Sequence, residues 1–122
     1  MSDLATVYSE LKALLQPYAE HLSVTADSPE GFSLDTRFIQ KNKQPLFFGA
    51  VQIKKRYVSY HLMPVYVAPE LLEGMSGSLK RRMQGKSCFN FTAVDPELLR
   101  ELAELTQAGY SRYVDLGYAA EQ

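Results

Sequence analysis

The stretch from residue 45 to residue 92 constrains the fold of this chain most strongly. It contains two adjacent β-type runs, 46–53 and 57–63, which are separated by a short basic link. Two such runs joined by so short a link predict an antiparallel hairpin. A helical run interrupted by glycine follows, and a third β-type run, 86–92, closes the stretch. We therefore expect one sheet with a helical insertion before its last strand.

A helix is predicted at each end of the chain. Apolar residues recur at three and four positions between residues 4 and 18, the period of one buried helical stripe. Either Ser2 or Asp3 is a suitable N-cap for this first helix. Near the other end, Asp95-Pro96-Glu97 is typical of a helix start, and Gly109 is the expected stop of that helix. Residues 117–122 are expected to form a frayed tail.

The order of these segments predicts the fold class. Residues 22–25 and 32–38 add strand patterns between the first helix and the hairpin. The helical run carries apolar residues from Leu71 to Met83, and its glycines leave open whether it forms one helix or two short ones. We expect an α+β domain over residues 1–116, with a mainly antiparallel sheet of four to five strands and helices packed on one face.

Helices on one side leave the other side of the sheet uncovered, and we call this side the open face. Side chains alternate between the two faces of a strand, and we assign the apolar sets of the last two predicted strands to the helix side. The residues then expected on the open face are Ser33, Asp35, Arg37, Tyr57, Ser59, His61, Met63, Cys88 and Asn90. Phe48 is expected to join Tyr57 and Met63 in a mixed patch typical of a ligand or partner surface.

Composition limits the classes of function. The 122 residues include 13 basic and 14 acidic ones, so the chain as a whole has no strong attraction for nucleic acid or anionic lipid. No apolar run approaches the ~18 residues of a membrane span. The single cysteine cannot form an internal disulfide, and the two histidines lie far apart. These features favour a cytoplasmic protein without a cofactor.

Two motifs suggest catalysis, and each has a simpler interpretation. Gly85-Lys86-Ser87 is similar to the end of a phosphate-binding loop, but Lys80 occupies the position of the first glycine, and a helix rather than a strand precedes the motif. Cys88 is a candidate nucleophile with His61 as a base across the sheet, which would make the chain a thiol-dependent enzyme. A structural thiol is favoured, since free cysteines are commonly buried.

Lys80, Arg81, Arg82 and Lys86 form the densest basic patch of the sequence. Cations at the C-terminal end of a helix stabilise its dipole, which accounts for the patch without any ligand. An anion site for a phosphate or a carboxylate is the alternative. Four charges without an extended basic surface do not favour nucleic-acid binding.

The chain also resembles a known family. The resemblance lies in the run 45–66, in Leu72-Glu-Gly-Met-Ser and in the segment from Leu79 to Phe91, and it extends over nearly the whole chain. These segments resemble the YdhG-like domains of unknown function, which are small bacterial proteins. The resemblance implies a sheet capped by helices with a frataxin-like outline, and an iron-chaperone role as an alternative function.

Carboxylates converging on one site would be needed for iron. The first helix offers only Asp3, Glu10 and Glu20, which are too far apart to cluster. We therefore expect a non-enzymatic binding domain that recognises a protein partner or a small anionic ligand on the open face. A homodimer formed through that face is a further alternative. The predicted ligand-binding residues are Tyr57, His61, Tyr66, Lys80, Arg82, Lys86, Ser87, Cys88 and Asn90.

Overall fold

The computed structural model describes residues 3–121, and the fold is α+β. Residues Ser2 and Gln122, which enter the predicted N-cap and the predicted tail, lie outside this range. The helices are α1 (Leu4–Leu15), α2 (Pro64–Val67), α3 (Gly77–Lys80) and α4 (Pro96–Asp115). The strands are β1 (Ser23–Asp27), β2 (Gly31–Ile39), β3 (Pro45–Ile53), β4 (Val58–Leu62), β5 (Met83–Gln84) and β6 (Cys88–Phe91). Short 3-10 turns lie at Gln16–Tyr18 and Pro69–Leu72.

Within residues 3–121 the strands form one antiparallel sheet in the order β1-β2-β3-β4-β6-β5. The predicted hairpin is confirmed as β3 and β4. The sheet has six strands in the described residues, one more than the upper number expected. The additional strand is β5, because Met83 belongs to it rather than to a helix. Gly85 has a φ of 78°, which lets the chain turn at once from β5 into β6.

Both long helices start as predicted. Asp3 caps α1 by accepting a hydrogen bond from the Thr6 amide at 2.7 Å. Asp95 caps α4 in the same way, with Pro96 as the first helical residue. Helices α1 and α4 pack on each other, and α1 packs on β3 and β4. Their apolar faces and the inner side of the sheet form the core.

The predicted end of α4 at Gly109 is wrong, because the helix continues to Asp115. Gly109 is buried where α4 meets α2, and a Cβ atom there would lie 2.8 Å from Cβ of Pro64. Glycine is therefore required at this position for a close approach of two segments. The chain turns instead at Gly117, whose φ is 83°.

The interrupted helical run forms separate short segments, not one long helix. α2 begins at Pro64, the 3-10 turn Pro69–Leu72 follows, and α3 begins after Ser76. The Ser76 hydroxyl accepts a hydrogen bond from the Leu79 amide at 3.1 Å and donates one to the Glu101 carboxylate on α4 at 2.6 Å. This serine therefore caps α3 and attaches the segment to the last helix.

The segment after Leu116, expected to fray, contacts the rest of the molecule as far as residue 120. The ring of Tyr118 lies 4.7 Å from the ring of Phe38 and 5.6 Å from that of Tyr113, centroid to centroid. The Tyr110 hydroxyl donates a hydrogen bond to the carbonyl of Ala120. Among the helices of the described residues, none is both long and apolar enough to cross a membrane.

Candidate functional site

The open face of the sheet holds a cavity of about 400 Å³. The alternation of β4 is as predicted, since Val58, Tyr60 and Leu62 are buried on the helix side while the residues between them face outward. The same holds for β6, where Phe89 and Phe91 are buried. The residues that line the cavity are Ser33, Phe47, Ala50, Gln52, Lys54, Tyr57, Ser59, His61, Gln84, Cys88 and Asn90.

The strand register arranges the floor of the cavity in two rows. In the first row Gln52 of β3 is paired with Ser59 of β4, and Ser59 is paired with Asn90 of β6. The second row lies two residues along each strand and runs across the sheet through Ser33, Ala50, His61, Cys88 and Gln84. The small side chains of Ala50 and Ser59 stand between larger ones, which gives the floor its hollow.

A bulge in β3 places an aromatic ring at one end of the cavity. Leu34 is paired with Gly49 and Asp35 with Phe47, so Phe48 has no partner on β2. Phe48 and Gly49 are both buried, and a Cβ atom at Gly49 would lie 3.2 Å from Cδ2 of Leu15. The prediction that Phe48 is exposed is therefore wrong. The ring on the open face belongs to Phe47, because the bulge reverses the alternation at this point.

Phe47 is held from both sides of the sheet. The Tyr113 hydroxyl of α4 donates a hydrogen bond to the Phe47 carbonyl at 2.8 Å. On the open face the Phe47 ring lies 5.0 Å from the His61 ring, with an angle of 68° between the two planes. This edge contact has the geometry that aromatic pairs prefer. The position of the cavity wall therefore depends on a residue of the helical layer.

His61 is half-buried, and its Nε2 lies 2.7 Å from Oγ of Ser87. Burial lowers the pKa of His61 below its usual value of 6.5, because the imidazolium loses solvation. The side chain is therefore neutral at pH 7. Ser87 is 8% exposed and does not line the cavity, so its hydroxyl serves as the partner of His61 behind the wall.

Cys88 lies opposite His61 in the β4–β6 register, as the enzyme alternative requires. The His61 Nε2, however, is hydrogen-bonded to Ser87 instead. Burial raises the pKa of Cys88, and the positive charge of Lys54 opposes this effect only in part. The thiol is therefore protonated at neutral pH. The geometry does not provide the activated thiolate that a nucleophilic cysteine needs.

Polar groups without partners surround the cavity. The side chains of Gln52, Gln84 and Asn90 make no hydrogen bond with another described residue. Lys54 is the one charged side chain among the described residues that line the cavity, and none of those residues is acidic. Its backbone amide donates a hydrogen bond to the Tyr57 carbonyl at 2.7 Å, which closes the β3–β4 hairpin beside the cavity.

The predicted ligand-binding residues fall into two groups. Tyr57, His61, Cys88 and Asn90 line the cavity, and Ser87 lies directly behind it. Tyr66, Lys80, Arg82 and Lys86 do not line it, and all four are exposed.

The second group forms no extension of the cavity. The Lys86 ammonium lies 6.0 Å from the centre of the Tyr66 ring. Arg82 lines a separate hollow of about 150 Å³ beside the start of α4. Asp35, Arg37 and Met63, expected on the open face, also lie outside the lining. The basic patch and the cavity are therefore two different surfaces.

Sequence reasoning missed Lys54, Phe47, Gln52 and Gln84. The signal for Lys54 and Gln52 was present, since both belong to the hairpin that carries Tyr57. Among residues 3–121, no three histidine, cysteine or acidic side chains lie close enough together to hold a metal ion.

Comparison with known proteins gives no relative for this chain. No family model matches it, and neither a curated protein nor a solved structure matches it significantly. The YdhG-like resemblance therefore stays a prediction.

Proposed function

We propose that this chain is a binding protein for a small anionic ligand, which occupies the cavity on the open face. The observation that carries the proposal is the lining, in which Lys54 is not opposed by an acidic residue among the described ones. A volume of about 400 Å³ is in the range of small-molecule sites. Such sites typically combine apolar walls with a few polar groups that fix the orientation of the ligand.

Charge and apolar contact act at different places in this cavity. The Lys54 ammonium is a compact cation that pairs with a carboxylate or phosphate as a point charge. Phe47 and Tyr57 provide aromatic surface for the apolar part of the ligand, and the Tyr57 hydroxyl adds a polar end. An anion that carries a ring therefore fits the lining better than an inorganic anion.

His61 links binding to pH. Its imidazole is neutral in the free protein at pH 7, because burial lowers its pKa. An anion bound beside the ring would favour the imidazolium and raise that pKa. By linkage, the protonated protein must then bind the anion more tightly than the neutral one. Affinity is therefore expected to increase as the pH falls from 8 to 6.

The proposal is tested with benzoate, which combines a carboxylate with an aromatic ring. A titration followed by two-dimensional amide NMR should shift signals of β3, β4 and β6 around the cavity. Lys54→Gln should weaken benzoate binding about tenfold, the lower end of what a hydrogen bond to a charged group contributes.

Lys55→Gln is the matched control, since Lys55 is the next residue, is exposed and does not line the cavity. This variant should bind benzoate as the wild type does. Equal affinities of wild type and Lys54→Gln, or shifts confined to the surface around Lys80, would contradict the proposal.

A further inference from the structure

The three free carboxamides of the cavity point to a class of ligand. We propose that the anion is a planar nitrogen heterocycle whose edge carries a carbonyl beside an N–H group, as in a lactam or a pyrimidine dione. This inference rests on the proposed function, because it concerns the same cavity. It specifies the chemistry of the part of the ligand that Lys54 does not contact.

The strand register places the three carboxamides along one part of the cavity floor. Gln52 and Asn90 belong to the same row of the floor and are both paired with Ser59, which stands between them. Their strands are separated by two strand spacings, or about 10 Å. Serine has a small side chain, so the space above it is free for a flat ring. Gln84 belongs to the second row and lies on β5, next to the strand β6 that carries Asn90.

A carboxamide presents one acceptor oxygen and one NH₂ donor group next to each other. An edge with the opposite pattern, an acceptor beside an N–H donor, satisfies both at once, and a carbonyl beside an N–H is such an edge. The same pairing lets asparagine and glutamine read adenine in nucleic acids. Hydroxyl-rich ligands also offer donors and acceptors, but they are not planar and give an aromatic ring of the cavity wall less to stack against.

An anion without such an edge would displace water from these side chains. The amides would then lose hydrogen bonds to solvent and gain none from the ligand, which opposes binding. A simple aromatic acid therefore satisfies Lys54 and one aromatic ring of the wall but leaves the amides unpaired. Of two anions of similar size, the cavity should therefore bind more tightly the one whose edge pairs with the amides.

The test compares three probes in the same amide NMR titration. Orotate has both the dione edge and the carboxylate, benzoate has the ring and the carboxylate, and uracil has the edge without the charge. Orotate should bind about tenfold more tightly than either of the others, the effect of one or two neutral hydrogen bonds or of one charge. The side-chain NH₂ signals of Gln52, Gln84 and Asn90 should shift more with orotate and uracil than with benzoate.

Variants assign the effect to the amides. Gln52→Met and Asn90→Leu keep most of the side-chain volume and remove the hydrogen-bonding groups. Each should weaken orotate binding about threefold to tenfold and should not weaken benzoate binding, because benzoate makes no hydrogen bond with the amides. Gln16→Met is the control, because Gln16 lies in the 3-10 turn after α1, away from the cavity.

The outcomes separate this inference from the proposed function. If benzoate binds as tightly as orotate and still depends on Lys54, the heterocycle is wrong and the anion site stands. Equal losses of orotate and benzoate affinity in Asn90→Leu would also overturn the heterocycle, because the amide would then act only through the shape of the cavity. If neither orotate nor benzoate shifts the signals of the cavity, both proposals fail.

Discussion

Replacing Tyr113 by phenylalanine should both destabilise the protein and loosen one wall of the cavity. Tyr113 is fully buried, and its hydroxyl donates to the Phe47 carbonyl at 2.8 Å. Burial raises the pKa of Tyr113, so the hydroxyl is a donor at any ordinary pH. The substitution removes that donor without changing the packing of the ring.

The magnitude follows from one neutral hydrogen bond. Its loss should lower the free energy of unfolding by about 1 kcal/mol, and by up to about 1.5 kcal/mol if water cannot reach the freed carbonyl. For a chain of 122 residues, the entropy of unfolding is about 0.26 kcal/mol per kelvin, so each 1 kcal/mol lowers Tm by about 4 °C. We expect Tm to fall by about 4–6 °C on this basis.

The second readout is specific to the cavity. The Phe47 ring contacts the His61 ring, so a looser bulge should alter the chemical shifts of the imidazole protons. It should also raise the pKa of His61 towards 6.5, because water gains access to the imidazole. Thermal unfolding followed by circular dichroism measures the first effect, and proton NMR of the imidazole against pH measures the second.

Tyr110→Phe is the matched control. Tyr110 lies one turn earlier on α4, is also buried, and its hydroxyl donates to the carbonyl of Ala120 in the C-terminal segment. This variant should lose stability without changing the signals of His61. The reasoning is refuted if Tyr113→Phe leaves Tm within about 1 °C of the wild type, well below the loss expected for a hydrogen bond. It is also refuted if both variants affect His61 equally.

Three further predictions concern the core and the response to pH. The Tyr60 and Thr106 hydroxyls are buried and 2.6 Å apart. In chemical denaturation, Thr106→Val should therefore lower the free energy of unfolding by about 1–3 kcal/mol, and adding Tyr60→Phe should recover part of that loss. Strictly additive losses would contradict the pairing of the two hydroxyls. Burial lowers the pKa of His61 in the folded state, so this histidine binds a proton more readily in the unfolded chain. The free energy of unfolding should therefore fall as the pH drops from 7 to 5, and His61→Gln should reduce this dependence on pH. Gly109→Val should lower the free energy of unfolding by about 1–3 kcal/mol through overpacking against Pro64. Ala108→Val is the control at an exposed position and should lower it by only about 0.5 kcal/mol. Equal losses would show that the contact at Gly109 is unimportant.

The fold class could be predicted because periodicity and capping are local signals. The apolar stripe of α1, the Asp95-Pro96 start of α4 and the hairpin can each be recognised in a short window of sequence. The end of α4 could not, since a glycine at a helix stop and a glycine at a close contact are the same residue. Only the position of Pro64 in space decides between them at Gly109. A strand of two residues, such as β5, is too short to show a period.

The cavity was predictable in its centre but not at its ends. Alternation in β4 and β6 placed His61, Cys88 and Asn90 on one face. It could not decide between Phe47 and Phe48, because a bulge sends two consecutive residues to the helix side. The positive charge of the binding site was predicted at Lys80 and Arg82, because basic residues are most closely spaced in that part of the sequence. In the folded chain the cation that faces the cavity is Lys54, at the end of the hairpin.

The pKa of His61 in the presence and absence of benzoate shows whether an anion occupies the cavity, since this residue lines the cavity beside the expected anion. The measurement follows the imidazole C2 proton by NMR from pH 4 to pH 8. With saturating benzoate the pKa of His61 should rise in the wild type and in Lys55→Gln. In Lys54→Gln the same rise should require about tenfold more benzoate. A pKa that stays the same while benzoate is shown to be bound would mean that the anion lies elsewhere, and would contradict the proposed anion site in the cavity.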